Sequence, residues 1–169
     1  MSGPESVNDA LLRELKRNGA NFFTSVPCKL LGGFIKVLEE DNEIGYMPVN
    51  REEEGLGILA GAYFGGQVPV LVMQNTGVGT LITSLCSLGN YFRLPITMLI
   101  SHRGSPGEPI GAQVPMGTAV EHLLATINIP TYRFSDPADC AKIGKLVPFA
   151  SVAEGPVAAI LDFDFWGAR

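Results

Sequence analysis

The chain has 169 residues, 46% of them hydrophobic and 17% charged, and seventeen acids against twelve bases leave a formal charge of −5. A chain of this size is expected to form one domain over residues 1–169, and an acidic balance with no basic run longer than Lys16-Arg17 argues against a nucleic-acid or anionic-membrane surface. The charged fraction falls below the roughly 25% of ordinary soluble domains, so apolar surface is expected to be covered by a partner chain.

The N-terminal segment MSGPESV carries an early acid and no long apolar run, which does not fit a signal peptide. Residues 7–17 then place Val7, Leu11, Leu12 and Leu15 on one helical face. Residues 21–26 read as a strand stopped by Pro27, 30–38 as a helix and 43–49 as a second strand. Asn50 reads as the N-cap of a helix to about residue 64, followed by a wholly apolar strand at 68–73, a helix at 79–91 and a fourth strand at 95–101. A polar loop rich in glycine and proline covers 102–117, and a helix (118–127), a short strand (131–134), a helix (136–149) and a strand (156–163) follow. Repeated β-α units with continuous apolar strands predict a three-layer α/β/α fold with a mainly parallel open sheet. From Gly55 to Phe92 there is no charge, but glycine and polar turns around residues 65–69 and 74–77 cut the stretch too short for a membrane span, so it reads as core. Cys28, Cys86 and Cys140 lack CxxC spacing, which suits neither zinc nor a disulfide framework and fits a reducing cytoplasm.

Open parallel sheets bind ligands beyond the carboxyl ends of their strands, which directs attention to residues 25–29, 49–54, 74–79 and 101–113. Gly55 to Gly61 reads as GxGxxxG, yet these glycines lie inside a helix behind Glu52, Glu53 and Glu54, acids that would repel a pyrophosphate; close helix packing is the better account. With Asn50 as N-cap, Glu53 takes the reciprocal position of a capping box, and Glu54 is a dipole-stabilising or solvated acid. Glu52 shares a helical face with Gly55, Leu56, Leu59, Ala60 and Tyr63. Its carboxyl group is thus directed at apolar neighbours, where it either shares a proton with a ligand nitrogen or serves only the helix dipole. Gln74 to Gly79 offers amides, a hydroxyl and close backbone approach without the lysine of a P-loop, as a ligand turn or a plain β-α turn. His102 and Arg103 end the fourth strand, as a ring and a cation for an anionic substrate or as a surface pair. His122 reads as structural, and Cys28 as a packed thiol or, at a helix start, a nucleophile.

Together these segments resemble the pyrimidine-binding domain of thiamine-diphosphate enzymes over nearly the whole chain. In REEEGLGILAGAY, Glu52 precedes Gly61 at the family's spacing; VLVMQNTGVGTLITSL resembles its QNSGLGN-type turn, and NYFRLPITMLIS its N-x-LP-strand segment. Within that superfamily the chain is similar to the sulfopyruvate decarboxylase alpha-subunit family, with phosphonopyruvate decarboxylases next, through SVPCKLL and HRGSPGEPIGAQVPMG. Cys28-Lys29 replaces an Asp-Ser pair, and Gln113 stands where phosphonopyruvate decarboxylases have Gln-His, departures that weigh against a phosphonate substrate.

The resemblance implies a flavodoxin-like, thiamine-diphosphate pyrimidine-binding domain acting in the cytoplasmic decarboxylation of 3-sulfopyruvate to sulfoacetaldehyde, toward coenzyme M. It implies Glu52 as the catalytic carboxyl group on N1′ of the aminopyrimidine, with Gln74, Asn75, Thr76 and Gly77 also binding the cofactor. Lys29, His102, Arg103 and Gln113 are the implied candidates for the anionic 2-oxo acid. Thiamine diphosphate and Mg2+ are the implied cofactors. The sequence carries no GDG...N segment, so a beta subunit with the diphosphate-binding domain is expected to hold the metal, in an assembly of several alpha and beta chains. A subunit of a related phosphonopyruvate-like decarboxylase, or a catalytically silent flavodoxin-like binding module, is the competing expectation.

Overall fold

The computed structural model describes residues 5–167; residues 1–4, part of the segment weighed above as a leader, lie outside it. Helix α1 (Val7–Arg17) starts where Ser6 Oγ accepts from the Asp9 N–H at 3.2 Å, and it buries Leu11, Leu12 and Leu15 while Lys16 and Arg17 meet the negative end of its dipole. Six strands follow in one sheet: β1 (Phe22–Ser25), β2 (Gly45–Pro48), β3 (Pro69–Gln74), β4 (Thr97–Ser101), β5 (Thr131–Phe134) and β6 (Val157–Leu161). Between them run α2 (Gly32–Glu40), α3 (Glu52–Phe64), α4 (Val78–Ser84), α5 (Val114–Thr126), α6 (Cys140–Gly144) and α7 (Leu146–Val152).

The strand order is β2-β1-β3-β4-β6-β5 and every pairing is parallel, as the expected α/β/α fold requires. Alternation along β3 feeds two separate cores. Val70 and Val72 face α1, α2, α6 and α7, whereas Leu71 and Met73 face α3, α4 and α5. Strands β3, β4 and β6 are buried on both faces, which is why their sequences are continuously apolar rather than alternating. The chain leaves β1 for β2 on one side and returns to β3 on the other, so the carboxyl ends of β1 and β3 flank the topological switch point.

The main departures from the sequence reading are at helix boundaries. Arg51, not Asn50, is the N-cap of α3, and its side chain makes no capping bond. Helix α5 begins at Val114 because Pro115 falls in its first turn, where a missing N–H costs nothing. The expected helix over 79–91 starts at Val78 and turns π-helical over Leu85–Asn90. The helix expected over 136–149 is broken at Lys145 into α6 and α7. The uncharged stretch is core in β3 and the inner faces of α3 and α4, but Tyr63, Phe64, Tyr91 and Phe92 emerge at the helix ends. Among the described residues no helix is long and apolar enough to cross a membrane.

Candidate functional site at the strand carboxyl ends

Glu52 is the first residue of α3, and the inner face behind it, Gly55, Leu56, Leu59 and Ala60, is buried as its spacing required; Tyr63 is exposed. The Glu52 side chain is half-buried and reaches the turn after β3, where a Cβ at Gly77 would sit on its carboxyl group. It has no hydrogen-bond or ion-pair partner among the described residues. Its neighbours have partners. Glu53 Oε1 accepts from Arg51 Nη2 at 3.2 Å while its Oε2 is buried without a hydrogen-bond partner, and its own backbone N–H holds its carboxyl group below the ordinary carboxylate range. Glu54 Oε2 accepts from the Asn50 N–H at 3.2 Å. With Arg51 as N-cap, Glu54 and not Glu53 takes the third helical position, but it bonds the N–H of the residue before the cap, so the reciprocal capping box expected from Asn50 and Glu53 is not formed.

The glycines of this helix do not share one role. A Cβ at Gly55 would lie 2.9 Å from Thr24 Oγ1 and 3.2 Å from both Leu71 and Val49, so helix and sheet meet closely there. Gly57 and Gly61 face open space, and close packing on the sheet does not explain them.

The turn after β3 binds the other strand ends together. Asn75 is fully buried: its Nδ2 donates to the Arg103 carbonyl at 2.8 Å and its Oδ1 accepts from the Arg103 N–H at 3.1 Å. Its side-chain amide thus holds the backbone after β4 and is not available to a ligand. Gln74 Nε2 donates to Thr76 Oγ1 at 2.6 Å and to Gln113 Oε1 at 3.0 Å, while the Cys28 thiol donates to Gln74 Oε1 at 3.2 Å. Four side chains from the ends of β1 and β3 and the head of α5 thereby form one cluster. Cys28 sits inside that cluster, also 3.5 Å from Ser101 Oγ, as a packed hydrogen-bonding thiol.

The two candidates ending β4 are held by their own loop. His102 is buried, its Nε2 donating to the Gly117 carbonyl at 2.9 Å and its Nδ1 accepting from Ser105 Oγ at 2.9 Å. Burial pushes the ring's pKa below the ordinary 6.5, so it is a neutral tether for the loop rather than a cation for a substrate. Arg103 forms a two-point pair with Glu108, Nε to Oε2 at 2.7 Å and Nη2 to Oε1 at 2.5 Å, with both side chains almost wholly buried. Glu108 also accepts from the Gly104 and Ile110 N–H groups, and the guanidinium beside it holds its carboxyl group down to about 2. Arg103 lies 5.7 Å from the centre of the Phe163 ring. Nothing in the sequence singled out Glu108, since its partnership exists only once the loop folds back. Close backbone contact completes the loop: a Cβ at Gly104 would lie 2.5 Å from the Gln113 carbonyl oxygen.

A cleft of about 870 Å3 opens beside this loop, lined by Lys29, Arg103, Pro106, Phe163 and Asp164 among others. Lys29 is exposed and has no ion-pair partner among the described residues, in contrast to Arg103. His122 is exposed on α5, so its expected structural role is not seen.

The site thus combines a half-buried carboxyl group with no partner among the described residues, a glycine turn packed against it, and a cleft with one cation not engaged by a described acid. A half-buried carboxyl group with no partner among the described residues suits an aromatic nitrogen base, so Glu52 fits the aminopyrimidine of the implied cofactor. Among the described residues no three His, Cys, Asp or Glu side chains are grouped to hold a metal ion.

No family model matches the chain. It is 40% identical over 162 residues to sulfopyruvate decarboxylase subunit alpha of Methanococcus maripaludis, spanning 95% of this chain and 97% of that one. It is also 40% identical over 158 residues to the subunit of the same name from Methanocaldococcus jannaschii, spanning 93% and 94%. Among solved structures, a 2-oxoglutarate:ferredoxin oxidoreductase from Magnetococcus marinus matches with a TM-score of 0.71 at 14% identity, over 95% of this chain and 29% of that chain. That likeness is one of fold.

Proposed function

The chain belongs to the sulfopyruvate decarboxylase alpha-subunit family, and on that footing we propose that it supplies the pyrimidine-binding half of a thiamine-diphosphate site. Residues 1–169 act as one pyrimidine-binding domain. A beta subunit carrying the diphosphate-binding domain supplies the other half and holds Mg2+. The name of the relatives, an alpha subunit, supports a partner chain. The complex converts 3-sulfopyruvate to sulfoacetaldehyde and carbon dioxide, a step of coenzyme M biosynthesis.

The observation that carries this reading is the Glu52 carboxyl group, partnerless among the described residues and set against Gly77 at the switch point. When bound, the cofactor supplies the electron sink for the pair left behind as carbon dioxide departs. Glu52 would hold the ring of that cofactor by sharing a proton with its N1′ nitrogen. The missing side chain of Gly77 is what lets that carboxyl group lie against the turn. Asn75 contributes by locking the turn to β4, and Gln74 and Thr76 by shaping its other wall. Lys29 faces the sulfonate from the cleft.

Carbon dioxide release from sulfopyruvate is measured with the chain alone, the partner alone and the two combined, in the presence of thiamine diphosphate and Mg2+. Turnover only in the combined sample supports the half-site reading. Turnover by this chain alone contradicts it.

A further inference from the structure

Gln74 makes three side-chain hydrogen bonds, and together they fix which way its amide faces. Both hydrogens of Nε2 are used, one toward Thr76 Oγ1 at 2.6 Å and one toward Gln113 Oε1 at 3.0 Å, while Oε1 accepts from the Cys28 thiol at 3.2 Å. The partners are committed in turn. Gln113 gives its oxygen to Gln74 and is left with its Nε2 hydrogens, and Thr76, already accepting, is left with its O–H to donate. Neither donor has an acceptor among the described residues, and both side chains are half-buried at the carboxyl end of the sheet. One buried-side amide thus holds two unused donors next to each other.

We infer that Gln74 is a positioning residue that orients Gln113 and Thr76 as paired hydrogen-bond donors to the oxygens of the anionic 2-oxo acid. The inference rests on the decarboxylase reading above and adds how this subunit reads the substrate's oxygens. Polarity, not shape, is what Gln74 contributes. Glutamate has the same outline but only accepts, so Thr76 O–H and Gln113 Nε2 would both turn inward to it and Gln113 would present its oxygen to the substrate.

The test uses the complex with its partner subunit and cofactors, as wild type and with Gln113→Glu, Gln113→Met and Gln74→Glu. Two quantities are read: KM and kcat for sulfopyruvate, and calorimetric affinity for 3-sulfopropanoate, an unreactive analogue without the keto oxygen. Gln113→Glu keeps the acceptor that bonds Gln74 but loses the donor. It is expected to raise KM and weaken analogue binding about tenfold or more, the loss typical of a hydrogen bond to a charged group, with a smaller change in kcat. Gln74→Glu is expected to do the same without touching the substrate. Should Gln113→Glu fail to assemble, Gln113→Met, which removes donor and acceptor together, is expected to show the same tenfold loss. Wild-type KM and analogue affinity in any assembled Gln113 variant overturn the inference alone. Absence of turnover in the wild-type complex overturns the decarboxylase reading beneath it.

Discussion

The Glu52 carboxyl group occupies the space that a side chain on Gly77 would need, so the first residue of α3 and the turn leading into α4 are matched to each other. Gly77 has φ −70°, a conformation open to any residue, so it is space and not backbone freedom that demands glycine there.

Gly77→Ala separates that spatial demand from folding. The Glu52 side chain is flexible and can swing aside, so the variant is expected to fold at a cost of about 1 kcal/mol. Its decarboxylation in the complex is expected to fall about 100-fold or more, because the displaced carboxyl group no longer meets the ring nitrogen. Urea unfolding and carbon dioxide release, measured on the same preparation, check both halves.

Lys29 and Arg103 are both cations beside the cleft, but only Arg103 is bound to a buried acid. Lys29→Met is expected to raise KM for sulfopyruvate about tenfold, more than for pyruvate, with stability within about 0.5 kcal/mol of wild type. Arg103→Met is expected to destabilise the fold instead, since it strands Glu108. Steady-state kinetics with the two substrates distinguish these outcomes, and an equal rise in KM for both substrates contradicts the role given to Lys29.

Glu108→Gln should cost about 3 kcal/mol or more, because it leaves the Arg103 guanidinium buried without its counter-charge. The carboxyl group of Glu108 is held at about 2 against an ordinary 4.5. A depressed acid contributes stability that is full above the ordinary value and is lost as pH falls from about 4.5 toward about 2. Urea midpoints across that range should fall for wild type and change less for Glu108→Gln.

His102 predicts a second, milder pH dependence. Its ring is held neutral below the ordinary 6.5, so the unfolded chain binds the proton more readily and stability is full above 6.5 and declines as pH falls below it. His102→Gln removes that slope. Chemical denaturation at pH 7.5 and about 5.5 measures the difference, and equal slopes in both proteins would refute the neutral tether.

The layers of the fold were legible because β3, β4 and β6 are buried on both faces and so read as unbroken apolar runs, while α1 carries a clear inner face. Helix starts were less legible. Asn50 has the chemistry of an N-cap, yet its N–H is itself capped by Glu54, and the helix begins one residue later. Pro115 looked like loop and is the second residue of α5. Within the site, spacing placed Glu52 on the face of α3 that is buried but left its role open, and it was the family resemblance that singled it out. The commitments of His102, Arg103 and Asn75 were not legible, because Gly117, Glu108 and the Arg103 backbone reach them only through tertiary contacts. The link from Cys28 through Gln74 to Gln113 likewise joins segments far apart in the chain, and no local pattern announces it.

The central claim is that Glu52, and not its neighbour in the same helical turn, is the carboxyl group that works on the cofactor. Carbon dioxide release from sulfopyruvate by the assembled complex, compared for wild type, Glu52→Gln and Glu53→Gln, tests it most directly. Glutamine keeps the size of the side chain and loses the shared proton, so Glu52→Gln is expected to assemble normally and to lose at least about 1000-fold in rate. Glu53→Gln is expected to retain most of the rate and to lose no more than about 1 kcal/mol of stability, through the helix dipole. An active Glu52→Gln complex beside an inactive Glu53→Gln complex would contradict the account.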